Sequence, residues 1–197
     1  MTTARILLLP GWQNSGPGHW QTLWEQQHGF ERLMQDDWWW PRRGDWMARL
    51  DDVLQAEAPN PAQAAAADTR PVVLVAHSLG CHLVAAWAAH SRHTARVGAA
   101  LLVAPPDLER ADMPPQVQAW APVQRQPLPM PATAVISRDD PYCSAERGAQ
   151  FAAAWGCQWV DGGAGGHLNA ASGLGHWPEG LTQLRALMAR AGIPPGF

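Results

Sequence analysis

The segment "PVVLVAHSLGCHLVAAWAAH", Pro71 to His90, joins an aliphatic run directly to a helix-forming run and places a serine at the junction. A short, unbroken aliphatic run such as Val72 to Ala76 predicts a strand covered on both faces, the pattern of a parallel sheet. Similar runs recur at Arg5 to Leu9, Ala99 to Ala104 and Thr133 to Ser137, with weaker strand candidates at Glu31 to Gln35 and Cys157 to Asp161. Helical periods lie between them: Trp46, Met47, Leu50, Val53 and Leu54 follow a capping Asp45, and Leu181, Leu184, Leu187 and Met188 repeat near the end. This alternation predicts a three-layer α/β sandwich around a mostly parallel sheet of about six strands. From Ala104 to Pro131 eight prolines interrupt the pattern, so that stretch is expected to be an irregular surface excursion with little or no cap. The only low-complexity feature is the alanine run Ala64 to Ala67.

Composition narrows the function classes. A chain of 197 residues without a compositional break is expected to form one domain, residues 1–197. The formal charge of −3 and the lack of any Lys/Arg block argue against nucleic acid or an anionic membrane surface as partner. Small neutral molecules fit better. Cys81, Cys143 and Cys157 are odd in number and widely spaced, which predicts reduced thiols and a cytoplasmic location. The apolar run near the start is too short for a signal peptide, and no later run is long enough to span a bilayer.

In a parallel sheet the loops at the carboxyl ends of the strands converge on a crevice beside helix N-termini. Ser78 lies at such an end. "AHSLG" matches the G-x-S-x-G nucleophile elbow with Ala76 in place of the first glycine; the competing reading is a serine that only caps the following helix. A nucleophilic serine needs a base and an orienting acid, which in this fold follow in the order Ser, Asp/Glu, His. "TAVISRDDPYCS" offers Asp139 and Asp140 after one strand, and "WVDGGAGGHLNAASG" offers His167 after the last. Among the rival histidines, His82 is expected to pack on the helix after the elbow, His77 to point away from the nucleophile, and His176 to open the final helix. Metal sites at His90 and His93, or at His77 and His82, lack acidic or cysteine partners at ligand spacing, so neither metal nor cofactor is expected. An oxyanion hole would take backbone N–H groups from Leu79 and from Trp12, in the loop "LPGWQNSGPGHW" after the first strand.

The blocks "LLLPGWQNSGPGHWQTLWE", "VLVAHSLGCHLVAAWA", "ISRDDPYCS" and "GGAGGHLNAASGLGHWPEG" resemble the YdeN-like bacterial branch of the serine hydrolases related to retinoblastoma-binding protein nine, within the α/β-hydrolase superfamily. The likeness runs nearly end to end. It implies a small α/β hydrolase with at most a short flap, and a Ser-Asp-His triad carried by Ser78, Asp140 and His167. Asp140 is preferred over Asp139 because the superfamily places its acid about three residues past the strand, and Pro141 holds the preceding backbone extended. The resemblance implies ester, thioester, or aminoacyl and peptide-like amide substrates. A second class of function, a non-catalytic partner-binding scaffold, draws on the relatives' name and on the tryptophans Trp12, Trp20, Trp24 and Trp38 to Trp40. Trp20 and Trp24, at i and i+4, are expected in the core, whereas at least one of the three consecutive tryptophans must be exposed or line the site.

Overall fold

The computed structural model describes residues 4–55 and 70–197, so the run Ala64 to Ala67 lies outside the described residues. Six strands, β1 (Arg5–Leu9), β2 (Glu31–Arg32), β3 (Val72–His77), β4 (Val97–Val103), β5 (Ala132–Ile136) and β6 (Gln158–Asp161), form one sheet in the order β2-β1-β3-β4-β5-β6. All five pairings are parallel. Helices α1 (Trp20–His28), α2 (Arg43–Gln55), α3 (Leu79–Ala88), α4 (Pro115–Gln118), α5 (Ala145–Ala154) and α6 (Pro178–Arg190) make the connections.

The two-residue repeat of a strand divides each aliphatic run between two cores. Leu7, Leu9, Leu74, Ala76, Ala100 and Leu102 pack with α2 and α3 on one face. Ile6, Leu8, Val73, Val75, Leu101 and Val103 pack with α1 and α6 on the other. Trp20 and Trp24 are buried in that second core, where Trp20 Nε1–H donates to Leu168 O (2.8 Å) and Trp24 Nε1–H to His176 O (2.7 Å).

Several local expectations change. Helix α2 begins at Arg43, one turn earlier than the Asp45 cap implied, so Asp45 lies in the first turn instead, where a carboxylate faces the positive end of the helix dipole. His176 precedes the cap of α6, which is Trp177. The residues between β4 and β5 hold only the four-residue α4, and the rest is irregular, as the prolines require.

The strand order reverses between β1 and β3: the chain leaves β1 toward β2 on one side, and from β3 onward it moves to the other. Connections that diverge in this way open a crevice at the carboxyl ends of the two strands. The loop carrying Trp12 and the turn carrying Ser78 both start there.

Candidate active site

Ser78 occupies the single residue between β3 and α3, with φ 55° and ψ −123°. This backbone is unfavourable for a residue with a Cβ, and its neighbours hold it there. Its N–H donates to Val103 O (2.9 Å) on β4, and its carbonyl accepts from Cys81 N–H (2.9 Å) in the first turn of α3. The hydroxyl makes no capping bond to the helix, which removes the capping explanation for this serine. Two glycines let the neighbouring chain close in on the turn. A Cβ on Gly80 would lie 2.3 Å from Leu9 O, and one on Gly11 would lie 2.7 Å from Ser78 Cβ and 3.2 Å from Leu79 N. Gly11 therefore brings the β1 loop against the elbow at the backbone of Leu79.

Ser78 Oγ–H points to His167 Nε2 (2.8 Å), and His167 Nδ1–H donates to Asp140 Oδ2 (2.8 Å). Both partner side chains are buried, His167 at 8% and Asp140 at 3% exposure. Asp140 Oδ1 accepts from Tyr142 N–H (2.9 Å), and the Tyr142 and His167 rings stand edge to face with their centroids 4.7 Å apart. Trp12 and Leu79 line the same cleft as Ser78. In the Trp12 loop the turn bonds are made by its neighbours: Asn14 N–H donates to Gly11 O (3.1 Å) and Gln13 N–H to Trp38 O (3.0 Å).

Of the five residues singled out in the sequence, Trp12, Ser78, Leu79 and His167 thus line one cleft, and Asp140 bonds to His167 from behind it. Among the described residues no group of three or more His, Cys, Asp or Glu forms a metal-ligand set, and no helix is long and apolar enough to cross a membrane.

Three residues gain contacts that the sequence did not indicate. His77 does not turn away from the site; its Nε2–H donates to His167 O (2.9 Å) and its ring packs 4.9 Å from the His167 ring. Asp139 is exposed, yet its Oδ1 accepts from Gly166 N–H (2.8 Å) and Ser137 Oγ–H (2.9 Å). Trp20 holds Leu168 O. Since Gly166 and Leu168 have φ of 58° and 46°, the loop bends through left-handed backbone on both sides of His167, and these three bonds clasp it at consecutive residues. His82, expected to pack, also donates from Nε2 to Pro106 O (2.7 Å). Of the three consecutive tryptophans, Trp39 and Trp40 are exposed at 63% and 61%, and Trp12 Nε1–H donates to Trp39 O (3.0 Å).

Burial drives the pKa of His77 well below its ordinary value and that of His82 to about 4, and burial together with the Arg32 guanidinium brings His19 to about 3. These rings are neutral near pH 7. His19 Nδ1 accepts from Gln21 N–H (3.1 Å), which leaves its proton on Nε2.

The family model described as serine hydrolase matches residues 6–186. The chain belongs to the serine hydrolase family. Among solved structures, a YdeN-like hydrolase from Pectobacterium atrosepticum is 28% identical over 98% of this chain and 94% of its own, with a TM-score of 0.76. The ydeN gene product of B. subtilis is 19% identical, covering 95% of this chain and 100% of its own at a TM-score of 0.68. Esterase 2 of Thermogutta terrifontis is 17% identical, with coverage of 99% and 86% and a TM-score of 0.64. At those lower identities the last two establish likeness of fold. No curated protein matches the chain. The expected kinship with YdeN-like proteins in the α/β-hydrolase superfamily therefore holds, and the fold of this serine hydrolase is similar to theirs.

Proposed function

We propose that the protein hydrolyses a small ester, thioester or amide through an acyl-enzyme, with Ser78 as nucleophile, His167 as general base and then general acid, and Asp140 as the residue that orients the imidazole. The observation that carries this reading is the unbroken relay from Asp140 through His167 to Ser78, closed by two 2.8 Å hydrogen bonds on a strained turn. A serine hydroxyl attacks a carbonyl efficiently only when its proton can leave with the forming bond. His167 Nε2 accepts that proton. Asp140 fixes the tautomer with the proton on Nδ1 and stabilises the imidazolium that forms. The oxygen of the tetrahedral intermediate would be held by the N–H groups of Leu79 and Trp12, with the N-terminus of α3 aimed at the same point. The leaving group takes the proton from His167. Water then repeats the sequence to release the acid and free Ser78.

The test is covalent labelling. The neighbouring Thermogutta esterase 2 is phosphonylated by cyclosarin and phosphorylated by paraoxon, and a fluorophosphonate tests the same chemistry here. It should label Ser78 with one equivalent, and Ser78→Ala, which retains the fold, should lose labelling and at least about 10⁴-fold in kcat toward a p-nitrophenyl ester. A folded Ser78→Ala protein with full activity would refute the assignment. Unmodified protein that neither takes the label nor turns over the ester would favour the scaffold reading, which requires no functioning relay.

A further inference from the structure

The walls of the cleft bear on the substrate. Its volume is about 320 Å³, at the small end of the roughly 300–1,000 Å³ range of ligand sites. One wall is apolar and comes wholly from the excursion between β4 and β5: Pro106, Leu108, Met113, Pro114 and Val117. This wall is built in rather than loosely hung. Pro106 O is held by His82 on α3, and Asp107 N–H donates to Tyr142 O (2.9 Å). Arg110 Nη1 donates to Pro141 O (2.6 Å), beside Asp140. Trp120 Nε1–H reaches Pro41 O (2.7 Å), Arg43 on α2 returns a bond to Trp120 O (3.0 Å), and Arg147 on α5 pairs with Asp107 (3.3 Å) and Glu109 (2.5 Å). The segment is thereby fixed to α3, to the loop of the acid, to α2 and to α5.

The rest of the lining carries no carboxylate to pair with a cation. Among the described residues that line the cleft there is no Asp, Glu, Lys or Arg. Asp140 lies behind His167 with both oxygens engaged. The side-chain oxygen of Asn14 is taken by Ser15 N–H (2.7 Å) and Arg32 Nη1 (2.7 Å), and that of Asn169 by Ala171 N–H (2.9 Å). His19 on the polar side has its Nδ1 lone pair occupied and can only donate.

We infer that the enzyme is an esterase for uncharged short-chain acyl groups, whose apolar part rests on the wall Pro106 to Val117, and that it discriminates against aminoacyl substrates. The inference rests on the serine-hydrolase reading and deepens it. An aminoacyl group carries an ammonium next to the scissile carbonyl, so reaction would draw that charge out of water into a cleft whose described lining has no carboxylate. Leaving a charge uncompensated is a strong means of rejection, stronger than a missing methylene.

Two p-nitrophenyl esters with the same four-carbon acyl skeleton, butyrate and L-2-aminobutyrate, test this at a pH below the pKa of the amine. With each kcat/KM divided by the hydroxide-catalysed rate of its ester, butyrate should lead by about 100-fold or more. Pro114→Asp places a carboxylate on the wall at the cap of α4, a position where aspartate is favourable for folding. It should narrow the ratio by at least about tenfold, mainly through a gain for the aminobutyrate ester. Enzyme that is labelled at Ser78 yet uses the two esters equally well overturns the inference and leaves the hydrolase reading standing. A ratio unmoved in folded Pro114→Asp overturns the placement of the acyl group on this wall. Failure of both esters together with absence of labelling removes the hydrolase reading, and this inference with it.

Discussion

Asp139 and Asp140 are adjacent in the chain but engage different parts of the same loop. Asp140 meets the ring of His167, while Asp139 meets the backbone one residue earlier, at Gly166. The consequences of neutralising each differ accordingly. Asp140→Asn keeps the shape but presents His167 with a group that no longer stabilises an imidazolium, and should lower kcat by about 10⁴-fold, as in a related triad. Asp139→Asn retains a carbonyl oxygen for the Gly166 N–H and should cost less than about tenfold in kcat. Steady-state kinetics on the two folded variants decides the matter, and the reverse ranking would transfer the acid's role to Asp139. That Asp139 shares in holding His167 could not be read from "SRDDPY", because the bond partner is 27 residues away.

Helix α3 and strand β1 meet at a separation that only glycine permits. The Cβ of an alanine at position 80 would come within 2.3 Å of Leu9 O and 3.0 Å of Pro10 O, both backbone atoms that cannot rotate aside. Gly80→Ala must therefore push the start of α3 away from the end of β1. Overpacking of this kind costs about 1–3 kcal/mol. Because the displaced β1 loop also carries Trp12, kcat should fall by at least about tenfold in protein that remains folded. Urea denaturation read beside ester turnover separates the two effects, and an unchanged midpoint would mean that the contact is not a constraint. At the other place in the elbow motif, Ala76 is fully buried on the face of β3 that packs with α2 and α3, where its methyl fits.

Among the described residues, the buried His19, His77 and His82 are held in neutral form near pH 7. In the unfolded chain each takes up a proton as the pH falls through about 6.5. In the folded protein His82 does so only near 4 and His19 only near 3. Between those limits the unfolded state binds more protons, so stability is complete above pH 6.5 and is lost as the pH falls, by up to about 1.4 kcal/mol per pH unit for each histidine. The urea midpoint should therefore drop steeply between pH 6.5 and 4. In His82→Gln, whose amide can still donate to Pro106 O, the slope should be shallower by up to one proton. A midpoint independent of pH across this window would refute the assignment of neutral buried histidines.

The core strands, the apolar faces of α2 and α6 and the serine hydroxyl at a strand-to-helix turn were legible in the sequence alone, because each depends on residues within a few positions of one another; the start of α2 and the short α4 were not. Period-two alternation divided the aliphatic runs into two faces, and the order of Ser78, the paired aspartates and His167 along successive strand ends limited where they could meet. The tertiary structure decided which aspartate reaches the ring of His167. It also decided that His77 and Trp20 clasp the histidine loop and that the proline-rich excursion is a fixed wall of the cleft. Those contacts join residues 90 and 148 positions apart, or depend on arginines whose partners lie on other elements. No local periodicity encodes such pairs; they exist only once the sheet has brought its strand ends side by side.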